Sequence, residues 1–366
     1  MISGRSRRTR LATVLGISLA VGALLVLAVL PTASLAARPG LQSAATFDSS
    51  CAVGEQPFMA GYDPVSHETY VPNLDSGNIT VLSGTCTVAG TITLPSGAGP
   101  AAAVFDPSDN DMFVTDYLLN QIYVISGLKV VNTIQNYPTG VALFLDEPWA
   151  IAYVPADYSG YGGTIWVTNL GEQGGGYYIE GFYTPTNQSF ELDFGYGLND
   201  PAYSIAYDPD DGFLWWATPS TDSISAINYL LWTQTFSFPT VLTFPVGSFP
   251  ANLAVDQSNG FVYVANEHSN NVTVLDGAVT DLGKLIGTIS GFDEPWAVAW
   301  DQSKLSMYVT NSGSGKVFVV GGSTGLSIVK RYSTAYDSEP DGLSYDAANG
   351  KMYVTGFYDN VVYVLS

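Results

Sequence analysis

Seven prolines set the frame of this chain: Pro57, Pro100, Pro148, Pro201, Pro250, Pro295 and Pro340, 43 to 53 residues apart. Each opens the same short unit. In the sixth, residues 295–320 read PWAVAWDQSKLSMYVTNSGSGKVFVV. Alternating apolar residues run to Asp301, a DQSK turn follows, then MYVTN, a second turn SGSG, and KVFVV. β-Branched and aromatic residues in such runs suit pleated strands, and the Gly, Ser, Asn and Asp between them suit tight turns. Six residues after the proline comes an acid that opens the first turn, at Asp63, Asp106, Asp256, Asp301 and Asp346; one insertion shifts it to Asp208, and Val154 replaces it in the third unit. The second strand reads YVPN (70–73), FVTD (113–116), WVTN (166–169), WWAT (215–218), YVAN (263–266), YVTN (308–311) and YVTG (353–356). A third strand follows, and a less regular fourth, as in LKVVNTI (128–134) and KLIGTI (284–289).

A four-stranded meander repeated at this period predicts an all-β, seven-bladed β-propeller. One meander cannot bury both its faces, but blades stacked around an axis can, and closing the ring leaves only short edges. The seventh unit ends at Ser366 after its third strand. The N-terminal strand expected around AATF (44–47) would then complete the last blade, which would also tie down both chain ends.

Residues 1–37 stand apart from this domain, expected at 38–366. Arg5, Arg7, Arg8 and Arg10 precede an uncharged run from Leu11 to Leu30, and TASLAA (32–37) offers small residues near Ala36. The segment reads as a cleaved signal peptide or as a retained N-terminal membrane anchor. Either reading places the remainder outside the cell. Without the leader, 33 acids face 8 Lys and Arg, a net charge of −25. Such a surface repels nucleic acid. Cys51 and Cys86 fit an oxidising compartment and could pair.

The recurring YVTN and its variants resemble the repeat of the YVTN family of β-propellers, and the resemblance spans about 57–366. It implies a secreted or surface-anchored propeller of the kind found in archaeal surface layers and in bacteria. It is specific for fold and says little of ligand, because the shared residues are strand and turn residues.

In a four-stranded blade, loops entering the first strand and joining the second to the third share one face, here the upper. The other turns lie on the lower face. His67 falls on the lower face and His268 on the upper, so they cannot share a metal, and Ser-His-acid catalysis lacks its parts. Cys86 falls near the lower face and Cys51 near the upper approach to Pro57, which argues against the bridge. Lower-face turns such as DPVSHE (63–68), DPSDND (106–111) and DPDDG (208–212) are explained by Asp capping its own turn. DPDDG could hold calcium, though without EF-hand spacing; no other cofactor is expected.

The upper-face loops LDEPWA (145–150), LNDPAY (198–203), FDEPWA (292–297) and DSEPDG (337–342) converge towards the axis. They nominate Asp146, Glu147, Trp149, Asp293, Glu294, Trp296, Glu339 and Asp341 as a ligand-binding rim, acids and indoles suited to a cation, a basic peptide or a sugar. Asn78, Asn187 and Asn271 lie in glycosylation sequons. The expected function is a non-enzymatic binding or scaffold module with an envelope protein or glycan as partner. It would touch membrane only through an uncleaved anchor. The alternative is a divalent-metal-dependent propeller lyase or lactonase, which requires those acids to meet at one axial point.

Overall fold

The computed structural model describes residues 45–135, 145–155, 163–171, 177–183, 190–231, 240–321, 325–334 and 338–366. The chain divides into Met1–Ser43 and Ala44–Ser366; the first unit lies outside the described residues.

Ala44–Ser366 carries seven antiparallel sheets of four strands each. Blade 6 is typical, with Pro295–Asp301, Ser306–Asn311, Lys316–Gly321 and Ser327–Ser333 hydrogen-bonded in chain order. Blade 7 differs. Its Pro340–Asp346, Lys351–Gly356 and Val361–Leu365 are followed outward by the N-terminal strand Ser49–Ala52. That strand lies just beyond AATF (44–47). AATF itself has another role: Ala45 bridges Tyr332 of blade 6, and the Phe47 ring lies 5.9 Å from Tyr332 and 4.6 Å from Tyr363 of blade 7.

The hydrophobic core is a ring of separate clusters, one between each pair of neighbouring blades. The cluster that closes the circle joins Ala60, Val71 and Leu82 of blade 1 to Tyr353, Val362 and Val364 of blade 7. This is the sheet-to-sheet burial that an isolated meander lacks.

Each position of the YVTN motif has a distinct structural task. The tyrosine reaches the following blade's third-to-fourth turn: Tyr70 Oη donates to the Gly127 carbonyl (3.0 Å), Tyr263 to Gly325 (3.1 Å), and Tyr353 to Gly84. The valines Val71, Val167, Val264, Val309 and Val354 are fully buried. The threonine repairs a bulge. The first strands slip register between Pro100 and Ala103, Pro148 and Ile151, and Pro295 and Val298. There Ala102, Ala150 and Ala297 donate their N–H to Thr115, Thr168 and Thr310 Oγ1 at 3.0, 3.0 and 2.8 Å. The asparagine works at the upper face, as shown below.

Cys51 and Cys86 form a disulfide with Cα atoms 5.5 Å apart. Sorting the loops by face set these residues apart, and the structure corrects this. The tyrosine contacts show why: a third-to-fourth turn leans back across the preceding blade, carried there by sheet twist. The turn holding Gly84, Thr85 and Cys86 therefore meets blade 7, where Ser49 Oγ donates to Thr85 O at 2.8 Å.

Candidate functional site

The upper rim is built on an unusual backbone. The residue before the blade-opening proline is left-handed at Gln56 (φ 54°), Glu147 (57°), Phe249 (56°), Glu294 (50°) and Glu339 (38°). Such a conformation costs an L-residue about 1–2 kcal/mol, so something must hold it. A side chain from the preceding blade does so. Asn120 Oδ1 accepts the Glu147 N–H (2.8 Å), Asn270 that of Glu294 (2.7 Å), Asn360 that of Gln56 (3.0 Å), and Asp222 that of Phe249 (2.9 Å). Each of these acceptors ends its own second-to-third turn in the left-handed region.

In blades 3 and 6 the motif asparagine adds a second tie. Asn169 Oδ1 accepts the Asp146 N–H and Asn311 Oδ1 that of Asp293, both at 3.1 Å. The DEPW lip therefore goes with a VTN strand for a structural reason. In blades 1 and 5 the same asparagine turns to the sequon instead. Asn73 Nδ2 donates to Asn78 Oδ1 (2.8 Å) and Thr80 Oγ1 (3.0 Å), and Asn266 Nδ2 to Asn271 Oδ1 and Thr273 Oγ1 (both 2.9 Å). Two of the three sequons are thus parts of this network; Asn187 lies outside the described residues.

The acids do not gather on the axis. Asp146 folds over Gly171, whose added Cβ would lie 2.2 Å from its carboxylate; Asp293 and Glu294 fold over Gly313, at 3.2 and 3.0 Å by the same measure. Each carboxylate thus sits on its own blade's upper turn. Tyr117 Oη donates to Glu147 Oε1 at 3.3 Å. Asp293 and Glu294 are exposed, Asp146, Glu147 and Glu339 half-buried, and Asp341 fully buried. Among the described residues no three His, Cys, Asp or Glu come together. His67 and His268 are both exposed on their separate turns; His67 Nδ1 lies 3.1 Å from Tyr62 Oη, and the His268 ring lies 4.4 Å from Phe249.

The rings do gather. Phe58 of blade 1 lies 4.9 Å from Trp149 of blade 3 and 6.0 Å from Phe357 of blade 7, and Tyr117 of blade 2 meets Trp149 edge-on at 5.5 Å. Half-buried Trp296 and Tyr203 pack against the same cluster. Beneath it, inner-strand residues of all seven blades, among them Ala60, Ala102, Ile151, Ile205, Leu253 and Val298, line an axial cavity of about 190 Å³. Its polar side chains are engaged: Ser204 Oγ accepts from Leu253 N (3.2 Å) and Asn252 Oδ1 from Val298 N (3.3 Å). The cavity is smaller than the roughly 300–1,000 Å³ of small-molecule pockets. What the upper face offers is the half-buried Trp149, Trp296 and Tyr203, seated on the buried rings of Phe58, Tyr117 and Phe357, with acids around them.

No protein-family model and no curated protein matches the chain. Solved structures do. A streptogramin B lyase structure matches with TM-score 0.62 at 14% identity, over 85% of this chain and 93% of that one. The selenomethionine-substituted virginiamycin B lyase from Staphylococcus aureus matches with TM-score 0.65 at 13% identity, over 87% and 98%. A chain of the mitotic checkpoint complex matches with TM-score 0.68 at 10% identity, over 94% and 98%. An enzyme and a member of an assembly share this architecture, and at these identities the likeness is one of fold: the chain is a seven-bladed β-propeller.

Proposed function

We propose that this chain is a non-enzymatic binding module of the cell surface or its surroundings, related to the YVTN-repeat propellers, whose ligand seats on the upper mouth. The observation that carries this reading is the aromatic floor shared by blades 1, 2, 3 and 7. Rings from separate blades pack together there, Phe58, Tyr117 and Phe357 buried and Trp149, Trp296 and Tyr203 half-buried above them, and the lip around them is tied by the Asn120 and Asn270 contacts. Rigid aromatic anchors bind at low entropic cost. Export is supported by the arginine-led leader and by the disulfide. An envelope protein or glycan suits the exposed Asp293 and Glu294 beside Trp296.

The second reading, a metal-dependent lyase or lactonase, draws on the likeness to the streptogramin-type lyases. One experiment separates the two. Purified chain is sedimented with native envelope fragments, and D293N with E294Q, both at exposed positions, should lose co-sedimentation while keeping the wild-type melting curve. Equal binding by that variant would overturn the upper-face site. Turnover of a streptogramin B or a lactone with added magnesium would overturn the non-enzymatic reading.

A further inference from the structure

The acids that open the lower-face turns are satisfied in different ways, and one stands out. Asp63 Oδ1 accepts from Val65 N and its Oδ2 from Ser66 Oγ, both at 2.7 Å. Asp256 accepts from Ser258 N (2.9 Å) and Oγ (2.6 Å). Asp301 Oδ2 receives Lys304 Nζ at 2.7 Å. In blade 4 the turn reads DPDDG (208–212), so neither a serine nor a lysine is at hand. Asp208 Oδ1 accepts from Asp210 N at 3.0 Å, but Oδ2 has no hydrogen-bond partner, and the residue is 0% exposed.

That oxygen lies beside two buried glycines of blade 5, Gly260 and Gly277. A Cβ added at Gly277 would lie 3.4 Å from Asp208 Oδ2 and 2.3 Å from the Gly260 carbonyl oxygen. The Cβ position of Gly277 is therefore near both oxygens, with the Val262 methyl Cγ2 at 3.3 Å on its other side. The Gly260 carbonyl accepts the Gly277 N–H at 3.0 Å and keeps a second lone pair. Half-buried Asp211 brings its Oδ2 to 3.8 Å from the Cβ position at Gly260.

We propose that this junction of blades 4 and 5 is a calcium site, held by Asp208, Asp211 and the Gly260 carbonyl, with water completing the shell. The inference goes beyond the binding role of the upper face and is independent of it. Carboxylate and main-chain oxygens in an irregular setting suit calcium, which takes six to eight oxygens at about 2.3–2.6 Å, better than magnesium with its strict octahedron. Asp208 Oδ2, buried and without a hydrogen-bond partner, is the oxygen a cation would satisfy. Two carboxylates place the affinity in the roughly 10⁻⁴–10⁻³ M range of extracellular calcium modules.

The test is thermal melting and calorimetric titration of the full chain in chelator and with calcium at about 1 mM, the scale of such sites. Calcium should raise the melting temperature of the wild type. The shift should vanish in D208N, shrink in D211N, and persist in D63N, which alters the corresponding turn of blade 1, away from the site. In chelator D208N should melt at or above the wild type, which shows that it folds. No calcium shift in the wild type, or an undiminished shift in both D208N and D211N, overturns the site.

Discussion

Asn270 stands at φ 55° with its Oδ1 2.7 Å from the Glu294 nitrogen, so one side chain supports a left-handed backbone in the next blade while occupying one itself. Its two contributions can be separated by substitution. Asn270→Gly keeps the turn and loses the acceptor, at an expected cost of about 1 kcal/mol. Asn270→Ala loses the acceptor and also strains the turn, for about 2–3 kcal/mol. Urea denaturation of both variants measures the difference, and equal losses would show that strain contributes nothing. A second residue gives a pH signature. Burial works to raise the Asp301 carboxyl, but the hydrogen bonds of Lys304 and Ser303 outweigh it and hold the carboxyl below its usual 3.8. A lowered folded value means stabilisation that is present above pH 3.8 and lost as pH falls through the folded value. Lys304 is partly exposed, so Lys304→Met should cost only about 1 kcal/mol at neutral pH. The gap from the wild type should close as pH falls below the folded value of Asp301; a gap that persists in strong acid would show that packing, not charge, is lost.

At the scale of the element, the YVTN strand joins core packing, bulge repair, a lower-face contact and an upper-face tie in four residues. Thr310 tests the bulge role. Thr310→Val leaves the Ala297 N–H without its 2.8 Å acceptor in a buried strand, with an expected loss of about 1–3 kcal/mol. Thr310→Ser should recover most of it, and thermal melting of the pair decides. The motif was legible in the sequence because each blade meets the same neighbours, so packing asks for the same residues in the same register. The prolines, turn acids and blade order were legible for that reason. Other features depended on directions that spacing does not encode. Asp146, Glu147, Asp293, Glu294 and Glu339 lie in the lip loops while Asp341 is buried in the strand Pro340–Asp346, and Gly171 and Gly313 leave room for Asp146, Asp293 and Glu294 to fold over their own turns. The aromatic floor was missed because its members sit at different positions: Phe58 and Trp149 each follow a proline, whereas Tyr117 and Phe357 follow the motif strand. One signal for the Asn120 and Asn270 contacts was available, since Asn120, Asn270 and Asn360 recur at the end of the same turn.

For the whole molecule, stability rests on a ring, and a ring has a seam. Here it lies between blades 7 and 1. Non-covalent contacts cross it at Tyr353 to Gly84 and at Gln56 N to Asn360 Oδ1 (3.0 Å), and the burial of Val71 and Leu82 against Val362 and Val364 adds the apolar part. The N-terminal strand Ser49–Ala52 must stay on Val361–Leu365 for the outer edge of blade 7 to be covered, and Lys351 Nζ with Asp48 Oδ2 (2.6 Å) is an added tie at its start. The disulfide ties that outer strand of blade 7 to blade 1, so it crosses the seam covalently. Closing a loop of 35 residues should stabilise the chain by about 3–4 kcal/mol in the entropic treatment. A Cys51→Ala, Cys86→Ala double variant should therefore unfold at lower denaturant by that amount. Its loss should be concentrated at the seam: amide exchange should quicken first in Ser49–Ala52 and Val361–Leu365 and only later in Pro148–Val154, across the ring. Uniform quickening in all seven blades would mean that the ring opens as one cooperative unit and that the disulfide adds only to its global stability.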